Sequence, residues 1–364
     1  MEIEFRLATT DDLPALLALE NRCFASDRLT PRSFRWMLAH AHASLLVAQR
    51  DGQLMGYALL LFHRGTSLAR LYSIAIAPQA RGEGLGARLL ERAEQCALEH
   101  ERAYLRLEVR ADNPKAIALY ERHGYRRFAQ VEDYYEDHAS ALRYEKRIVQ
   151  RPASKARAVP YYAQTTDFTC GPACLLMAMA ALRPGWEPSR REEVRLWREA
   201  TTVFMTSGHG GCSPQGLALA AWRRGFGVRL QLSTDGPLFL DGVRQANKKE
   251  VMQLVHEDFC GELQETDVQR ARGPLDLPRV LAEGGLVLVL ISNYQLTRTK
   301  APHWVLVTGC DDDFVYLHDP DTDHARHRQA LDCQHLPVSH GQFQRMSLFG
   351  GKKVRAAVVV FTRG

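Results

Sequence analysis

Several features that mark membrane or secreted proteins are missing from this sequence. Its longest apolar runs, such as LVLVLIS from Leu286, are far shorter than the roughly 20 residues that span a bilayer. The first residues include early acids and lack a basic segment followed by an apolar one, so no secretory signal is expected. These absences predict a protein of the cytoplasm with no membrane partner.

The sequence also has few features of a metal-binding or nucleic-acid-binding protein. Its 8 cysteines form no C-x-x-C pair, which disfavours a structural zinc site, and they are too scattered for a disulfide framework. The net charge of +5 is small, and basic residues alternate with acids. We therefore expect no metal cofactor and no nucleic-acid partner.

Length and composition predict two globular domains. A chain of 364 residues with 46% hydrophobic and 24% charged residues is too long for one ordinary core. The stretch KRIVQRPASKARAVP loses periodicity and contains Pro152 and Pro160, which is typical of a connection. We predict domains at 1–148 and 160–364, joined by a linker at 149–159.

The first domain alternates strand-like and helix-like patterns, which predicts an α/β fold. Asp51-Gly52 lies between two apolar runs and predicts a hairpin. Further on, three glycines follow a strand and precede an amphipathic helix, with Arg81 beside them. Such a loop lets backbone N–H groups approach a pyrophosphate, although a glycine-rich turn alone is often only a tight connection.

About 20 residues beyond this loop, the sequence LEVRADNPKAIALYERHGY resembles the GNAT superfamily of N-acetyltransferases, especially the branch that acetylates protein N-terminal amines. The resemblance covers 1–148 and implies a mixed central sheet with flanking helices and acetyl-CoA as the cosubstrate. It assigns cofactor binding to a strand segment, the glycine loop and two downstream residues: Ile74, Ala75, Ile76, Arg81, Gly82, Gly84, Leu85, Gly86, Ala87, Asn113 and Tyr120.

The resemblance also implies two catalytic residues in this domain. Tyr120 would protonate the departing CoA thiolate, and Glu108 would take a proton from the acceptor amine. Amine acylation needs such a base because a protonated amine has no lone pair for attack. On the residues alone, Glu108 could be an ordinary strand residue and Tyr120 a core aromatic.

The second domain changes to a helix-rich block followed by apolar strands, which predicts an α+β fold. Cys170 stands at the threshold of the helix in DFTCGPACLLM. Backbone N–H groups at a helix start favour a thiolate, so Cys170 is a candidate nucleophile, although a small buried residue is the commoner role of cysteine.

A cysteine nucleophile needs a base, a group that orients the base, and donors for the oxyanion. His303 begins the strand HWVLVTG, and Asp319 follows the next strand across a turn. Adjacent antiparallel strands would place these two side chains together. Gln164 lies six residues before Cys170 with an amide that can donate to an oxyanion.

The order of these four residues resembles the papain-like cysteine peptidases, and the motifs DFTCGPACLLM, HWVLVTG and HDP are more similar to the peptidases that process double-glycine bacteriocin leaders. The resemblance covers about 158–364 and implies a papain-like fold. It makes Gln164 the oxyanion donor, Cys170 the nucleophile, His303 the general base and Asp319 its orienting group. The segment 230–275 does not match the transporter-attached members of this peptidase family.

Other candidates are weaker. Cys174 lies one helical turn after Cys170 and is better interpreted as a packed core thiol. His209 and Cys212 could form a second dyad, but their glycine-rich loop is better explained as a connection to the following helix. A metal site is the less favoured interpretation of three residues in the HDPDTDHARH stretch: His318, Asp323 and His327.

Together the patterns predict a bifunctional enzyme that acetylates an amine and cleaves an amide bond of a peptide or protein substrate. Three alternatives stay open. The second domain could transfer its acyl group to an amine, the first could bind CoA as a sensor without catalysis, or Cys170 could be inert in a peptide-binding module. The oligomeric state is not predicted.

Overall fold

The computed structural model describes residues 3–39, 42–149, 158–202, 210–240, 243, 245–297, 301–322 and 330–363. The chain divides into two compact units, residues 1–153 and 154–364. Most of the predicted linker lies outside the described residues, so its borders stay a prediction. No described helix has the length and apolar character needed to cross a membrane.

The first unit contains four α-helices and seven strands among the described residues. The strands are β1 (Glu4–Leu7), β2 (Ala43–Arg50), β3 (Gln53–Phe62), β4 (Leu68–Ile76), β5 (Tyr104–Arg110), β6 (Arg126–Val131) and β7 (Ala141–Arg147). The helices are α1 (Leu13–Cys23), α2 (Pro31–Ala39), α3 (Leu85–Glu99) and α4 (Pro114–Arg122).

The seven strands form one mixed sheet in the order β1-β2-β3-β4-β5-β7-β6. Only β4 and β5 pair in parallel within it, as far as the described residues go. The predicted hairpin joins β2 to β3, and its two turn residues, Asp51 and Gly52, both have positive φ, at 51° and 75°. This is the backbone twist that a two-residue hairpin loop requires.

Helices cover both faces of this sheet. On β3, Tyr57 contacts Phe34 of α2, while a side chain at the preceding Gly56 would meet Leu89 of α3. Because neighbouring strand residues point to opposite faces, α2 and α3 must lie on opposite sides of the sheet. The resulting α/β layering agrees with the prediction.

The second unit has its own sheet and helices. Its helices are α5 (Cys170–Leu182), α6 (Arg190–Ala200), α7 (Pro214–Arg223), α8 (Ala246–Gln264), α9 (Leu277–Ala282), α10 (Tyr294–Thr297) and α11 (His340–Met346). Its strands are β8 (Phe226–Leu232), β9 (Gln269–Ala271), β10 (Leu286–Ser292), β11 (Pro302–Cys310), β12 (Phe314–His318), β13 (Leu336–Ser339) and β14 (Ala356–Thr362).

These strands pair in the order β13-β12-β11-β10-β14-β8-β9, and every described pair except β8 with β9 is antiparallel. Helices come first and most strands later, which is the α+β arrangement predicted from the sequence. The segment 230–275 supplies the end of β8, all of α8, and β9.

Helix α5 lies at the centre of the second core. It carries no charged residue and is buried without interruption from Gly171 to Met179. A helix that is apolar on every side is stable only when surrounded by protein. The apolar side chains of α7, β10, β11 and β14 pack in the same cluster, so the first residue of α5 sits on a rigid support.

Candidate functional sites

Cys170 is the first residue of α5, with Thr169 as the N-cap. The Thr169 carbonyl accepts the first helical hydrogen bond from the Ala173 N–H at 2.9 Å. Pro172 falls in the first turn, where a missing N–H removes no helical bond. The first-turn N–H groups lack helical acceptors, so they can donate to a group bound beside the sulfur.

The glycine after the cysteine lies in a tightly packed position. A Cβ at Gly171 would lie 3.0 Å from Leu217 of α7 and 3.2 Å from the Trp304 ring. Trp304 is buried, and its indole N–H donates to the Cys212 carbonyl at 3.2 Å. A side chain at position 171 would therefore require Leu217 or Trp304 to move by a few tenths of an ångström, next to His303 on β11.

The structure brings His303 and Asp319 together. Nε2 of His303 lies 2.7 Å from Oδ1 of Asp319, and the two residues are only 4% and 0% exposed. The same oxygen accepts the Asp321 backbone N–H at 3.0 Å. A carboxylate only accepts hydrogen bonds, so Nε2 carries the proton and Nδ1 is the nitrogen available to the thiol.

The charge of Asp319 controls the protonation of this imidazole. Burial lowers the pKa of His303, but the Asp319 carboxylate, by its charge and hydrogen bond, and the nearby Cys170 thiol together raise it to about 10. The imidazole is therefore protonated at neutral pH. That form can pair with a thiolate and can give a proton to a departing amine.

Gln164 lies beside the residues that follow β12. Its backbone N–H donates to the Pro320 carbonyl at 2.9 Å, and its side-chain Nε2 lies 3.3 Å from Oδ1 of Asp321. The amide nitrogen has two hydrogens, so this contact leaves one for another acceptor. No hydrogen bond joins Gln164 and Cys170, both of which the structure describes.

Glu193 is a residue of this site that the sequence reasoning missed. It is fully buried on α6 and accepts hydrogen bonds from the irregular segment that leads into Cys170. The sequence signal that could have identified Glu193 is its spacing, because it lies on the same buried face of α6 as Leu196 and Ala200. A charged residue on an apolar stripe indicates a buried polar contact.

The weaker candidates have structural roles where they are described. Cys174 is fully buried, donates to the Trp304 carbonyl at 3.4 Å, and has a pKa raised well above the usual value by burial, as expected for a core thiol. Cys212 is also buried, and burial raises its pKa. His209 lies outside the described residues, so the second dyad is not described.

The alternative metal site included His318, whose two ring nitrogens already form hydrogen bonds to the backbone. Its Nε2 contacts the Val159 carbonyl at 3.0 Å, and its Nδ1 accepts the His335 N–H at 2.9 Å. Both ring nitrogens are thus engaged by the backbone. Asp323 and His327 lie outside the described residues. Within the described part of the chain, no group of three or more His, Cys, Asp or Glu side chains could hold a metal.

In the first unit, β4 separates from β5 where the sequence predicts cofactor binding. The two strands pair only from Leu68 with Tyr104 to Leu71 with Leu107. Ile74, Ala75 and Ile76 lie beyond this pairing. Among the described strands, they pair only with β3. The open edge can accept hydrogen bonds from an extended ligand that carries amides, as pantetheine does.

The glycine loop between β4 and α3 has the backbone geometry of an anion site. Gly82 and Gly84 have φ of 85° and 76°, which disfavours any other residue, and Gly84 caps α3. Leu85, Gly86 and Ala87 form the first turn, whose N–H groups point out of the helix. Arg81 precedes them and donates to the Ile76 carbonyl at 3.2 Å.

Two further cofactor candidates lie on α4. Asn113 is its N-cap and accepts the Ala116 N–H at 3.2 Å, while its amide nitrogen can still donate. Tyr120 is buried and packs edge-to-face on Tyr125. Burial raises the pKa of Tyr120, so its hydroxyl keeps a proton that it can give to a thiolate. These residues, the open strand edge and the loop fit acetyl-CoA.

Glu108 lies between two buried arginines that the sequence did not associate with it. Nε of Arg70 is 2.8 Å from one carboxylate oxygen, and Nε of Arg143 is 3.1 Å from the other. All three side chains are buried. The carboxylate thus already forms two charge-assisted hydrogen bonds, which gives Glu108 a structural role whether or not it also takes a proton.

Both units match known families. Residues 13–125 match the Acetyltransferase (GNAT) family, and residues 159–361, more than half of the chain, match a family described as Peptidase_C39 like. The second match covers the residues from the segment before Cys170 to the last strand.

Two curated N-acetyltransferases are each similar to about a third of this chain. An uncharacterized N-acetyltransferase of Archaeoglobus fulgidus is 29% identical over 139 residues, which cover 34% of this chain and 94% of that protein. A second protein, from Bacillus subtilis (strain 168), is provisionally named a ribosomal protein bS18-alanine N-acetyltransferase. It is 30% identical over 127 residues, which cover 35% of this chain and 83% of that protein.

Solved structures similar to the first unit include the ribosomal-protein-S18-alanine N-acetyltransferase from Escherichia coli, at 27% identity and a TM-score of 0.38, covering 42% of this chain and 99% of that one. Ard1 from Thermoplasma volcanium is 21% identical with a TM-score of 0.39, and the match covers 41% of this chain and 100% of that one. By its family matches, the chain belongs to the Peptidase_C39 like family and carries a GNAT acetyltransferase domain ahead of that region.

Proposed function

We propose that this protein is a bifunctional enzyme of the cytoplasm, an acetyl-CoA-dependent N-acetyltransferase joined to a papain-like cysteine peptidase. The contact that most supports the peptidase is the 2.7 Å hydrogen bond between His303 and buried Asp319, next to Cys170 at the start of α5. A buried carboxylate bound to an imidazole beside a helix-start thiol is the arrangement that nucleophilic catalysis needs.

In the proposed peptidase reaction, the resting site holds a Cys170 thiolate paired with the protonated His303 imidazole, whose Nδ1 carries the proton that the thiol has given up. The thiolate attacks the substrate carbonyl carbon, and a C–S bond forms. Backbone N–H groups of the first turn of α5 and the Gln164 amide stabilise the oxyanion. The imidazolium then protonates the departing amine as the C–N bond breaks, and water hydrolyses the thioester with His303 as base.

In the first unit, the proposed reaction transfers an acetyl group to an amine of a peptide or protein. Acetyl-CoA supplies the activated thioester. The open edge of β4 and the start of α3 hold it, Tyr120 protonates the departing thiolate, and Glu108 is the proposed base. The name of the Bacillus subtilis relative, which gives a ribosomal protein as substrate, supports a protein amine as the acceptor.

Comparison of peptides in cells tests the peptidase proposal. Cells that carry the wild-type protein and cells that carry Cys170→Ala are compared by unbiased mass spectrometry of peptide termini. We expect new termini that depend on Cys170, and the same set of termini in both cells would contradict the proposal. Products that contain an added amine instead of water would indicate an acyl transferase.

A further inference from the structure

One fully buried carboxylate in the second unit is not used by the proposed reaction. Glu193 has no exposed surface and accepts four hydrogen bonds. Its Oε1 accepts from the Thr165 backbone N–H at 2.8 Å and from the Thr169 hydroxyl. Its Oε2 accepts from the Tyr162 hydroxyl at 2.9 Å and the Thr165 hydroxyl at 2.7 Å.

All four donors belong to one short segment, 162–169, which contains Gln164 and ends next to Cys170. Tyr162 precedes Gln164 by two residues, Thr165 follows it directly, and Thr169 is the N-cap before Cys170. A single carboxylate therefore holds both ends of the segment that carries the proposed oxyanion donor and delivers the proposed nucleophile.

This segment has no helix or strand to fix it. Residues 158–169 form no regular element, so their position depends on individual hydrogen bonds. Helix α6, which carries Glu193, is itself anchored to α7. Arg224, which caps the end of α7, bonds Glu192 at 2.7 Å and Glu199 at 2.7 and 2.9 Å. The carboxylate is thus presented from a fixed support.

We propose that Glu193 is a positioning residue for the cysteine site, and that its hydrogen bonds hold Gln164 and Cys170 in place. This inference rests on the proposed peptidase function. It assigns no contact with substrate to Glu193. A misplacement of about 1 Å can cost roughly 100-fold in rate, so the loss of all four bonds should slow the chemistry of Cys170 even in a folded protein.

The hydrogen-bond pattern predicts which substitution is tolerated. Both donors at Oε2 are hydroxyls, which can turn and accept, whereas one donor at Oε1 is a backbone N–H, which cannot. Glu193→Gln can therefore place its amide nitrogen at the Oε2 position and its oxygen at the Oε1 position, and keep four contacts. Glu193→Ala keeps none.

The test measures the rate at which iodoacetamide alkylates Cys170, across a range of pH, in the full-length protein. Half-buried Cys310 in the same molecule is the internal reference. The matched control is Val194→Ala, next to Glu193 on the same helix, because the exposed valine side chain can accept no hydrogen bond from the segment 162–169 and takes no part in the anchoring of α6 by Arg224. Thermal unfolding of each variant is recorded in parallel.

We expect Glu193→Ala to slow Cys170 alkylation by roughly tenfold or more, with Cys310 unchanged. Glu193→Gln and Val194→Ala should stay within about threefold of wild type. This is less than the roughly fivefold change that corresponds to the loss of one hydrogen bond of about 1 kcal/mol. A lower unfolding temperature in Glu193→Ala with an unchanged Cys170 rate would overturn the inference. So would a Glu193→Gln rate as low as that of Glu193→Ala.

A further variant keeps the test valid if Glu193→Ala does not fold. Tyr162→Phe removes one of the four bonds and should slow Cys170 alkylation by about two- to fivefold; an unchanged rate in this variant would then contradict the inference. Failure of the proposed function itself has a different signature, since wild-type Cys170 would then react no faster than Cys310.

Discussion

Asp319→Asn changes the charge next to His303 while keeping an oxygen in the accepting position. The Oδ1 atom of Asp319 accepts from His303 and from the Asp321 N–H, and asparagine can keep both contacts. The loss is therefore mainly the negative charge that keeps the imidazole protonated. Without it, burial lowers the pKa of His303, and the imidazole becomes neutral near neutral pH.

The magnitude follows from the pKa of His303, which is about 10 in the folded protein and 6.5 without the protein environment. A group whose pKa is higher in the folded protein stabilises the fold fully at pH values below its unfolded pKa. This stabilisation is lost as the pH rises through its folded pKa. The contribution is roughly 4 to 5 kcal/mol at pH 6 and falls to roughly 1 kcal/mol at pH 9.

The assay is urea unfolding of wild type and Asp319→Asn at several pH values between 6 and 9.5, followed by tryptophan fluorescence. Four of the five tryptophans lie in the second unit, so the signal reports mainly on its unfolding. We expect the wild type to be more stable by several kcal/mol at pH 6 and the difference to shrink steadily as the pH rises. A difference that stays constant or grows with pH would refute this reasoning.

Three other substitutions give separate tests. Gly171→Ala should destabilise the second unit by about 1 to 3 kcal/mol in urea unfolding, because the added methyl group crowds Trp304; an unchanged midpoint would show that the contact relaxes freely. Glu108→Gln should cost about 3 kcal/mol in the unfolding of the first unit, since it removes the negative charge that the buried side chains of Arg70 and Arg143 both contact. Tyr120→Phe should lower kcat for acetyl transfer roughly 100-fold with little change in the KM for acetyl-CoA, whereas unchanged turnover would favour a CoA sensor.

The sequence was informative where function depends on local pattern. The turn at Asp51-Gly52 was predictable because few residue pairs tolerate two positive φ values. The pairing of His303 with Asp319 followed from two short strands and a tight connection, since strand alternation and antiparallel pairing leave little freedom. The start of α5 at Cys170 followed from an apolar run that begins with residues suited to a first turn.

The sequence was less informative where a role depends on packing between distant segments. Glu193 meets its donors only because α6 packs beside the segment before Cys170, and no local pattern specifies that packing. The same holds for Glu108, whose partners Arg70 and Arg143 come from two other strands. The segment 230–275 had no predicted role, and the structure gives it the end of β8, helix α8 and strand β9.

The most direct test of the central claim is the rate of Cys170 alkylation by iodoacetamide at pH 7 in the wild type and in His303→Ala. The account predicts that wild-type Cys170 reacts at least tenfold faster than Cys310, and that His303→Ala removes this advantage while leaving the Cys310 rate unchanged. Equal rates for Cys170 and Cys310 in the wild type, or an advantage that persists without His303, would contradict the account.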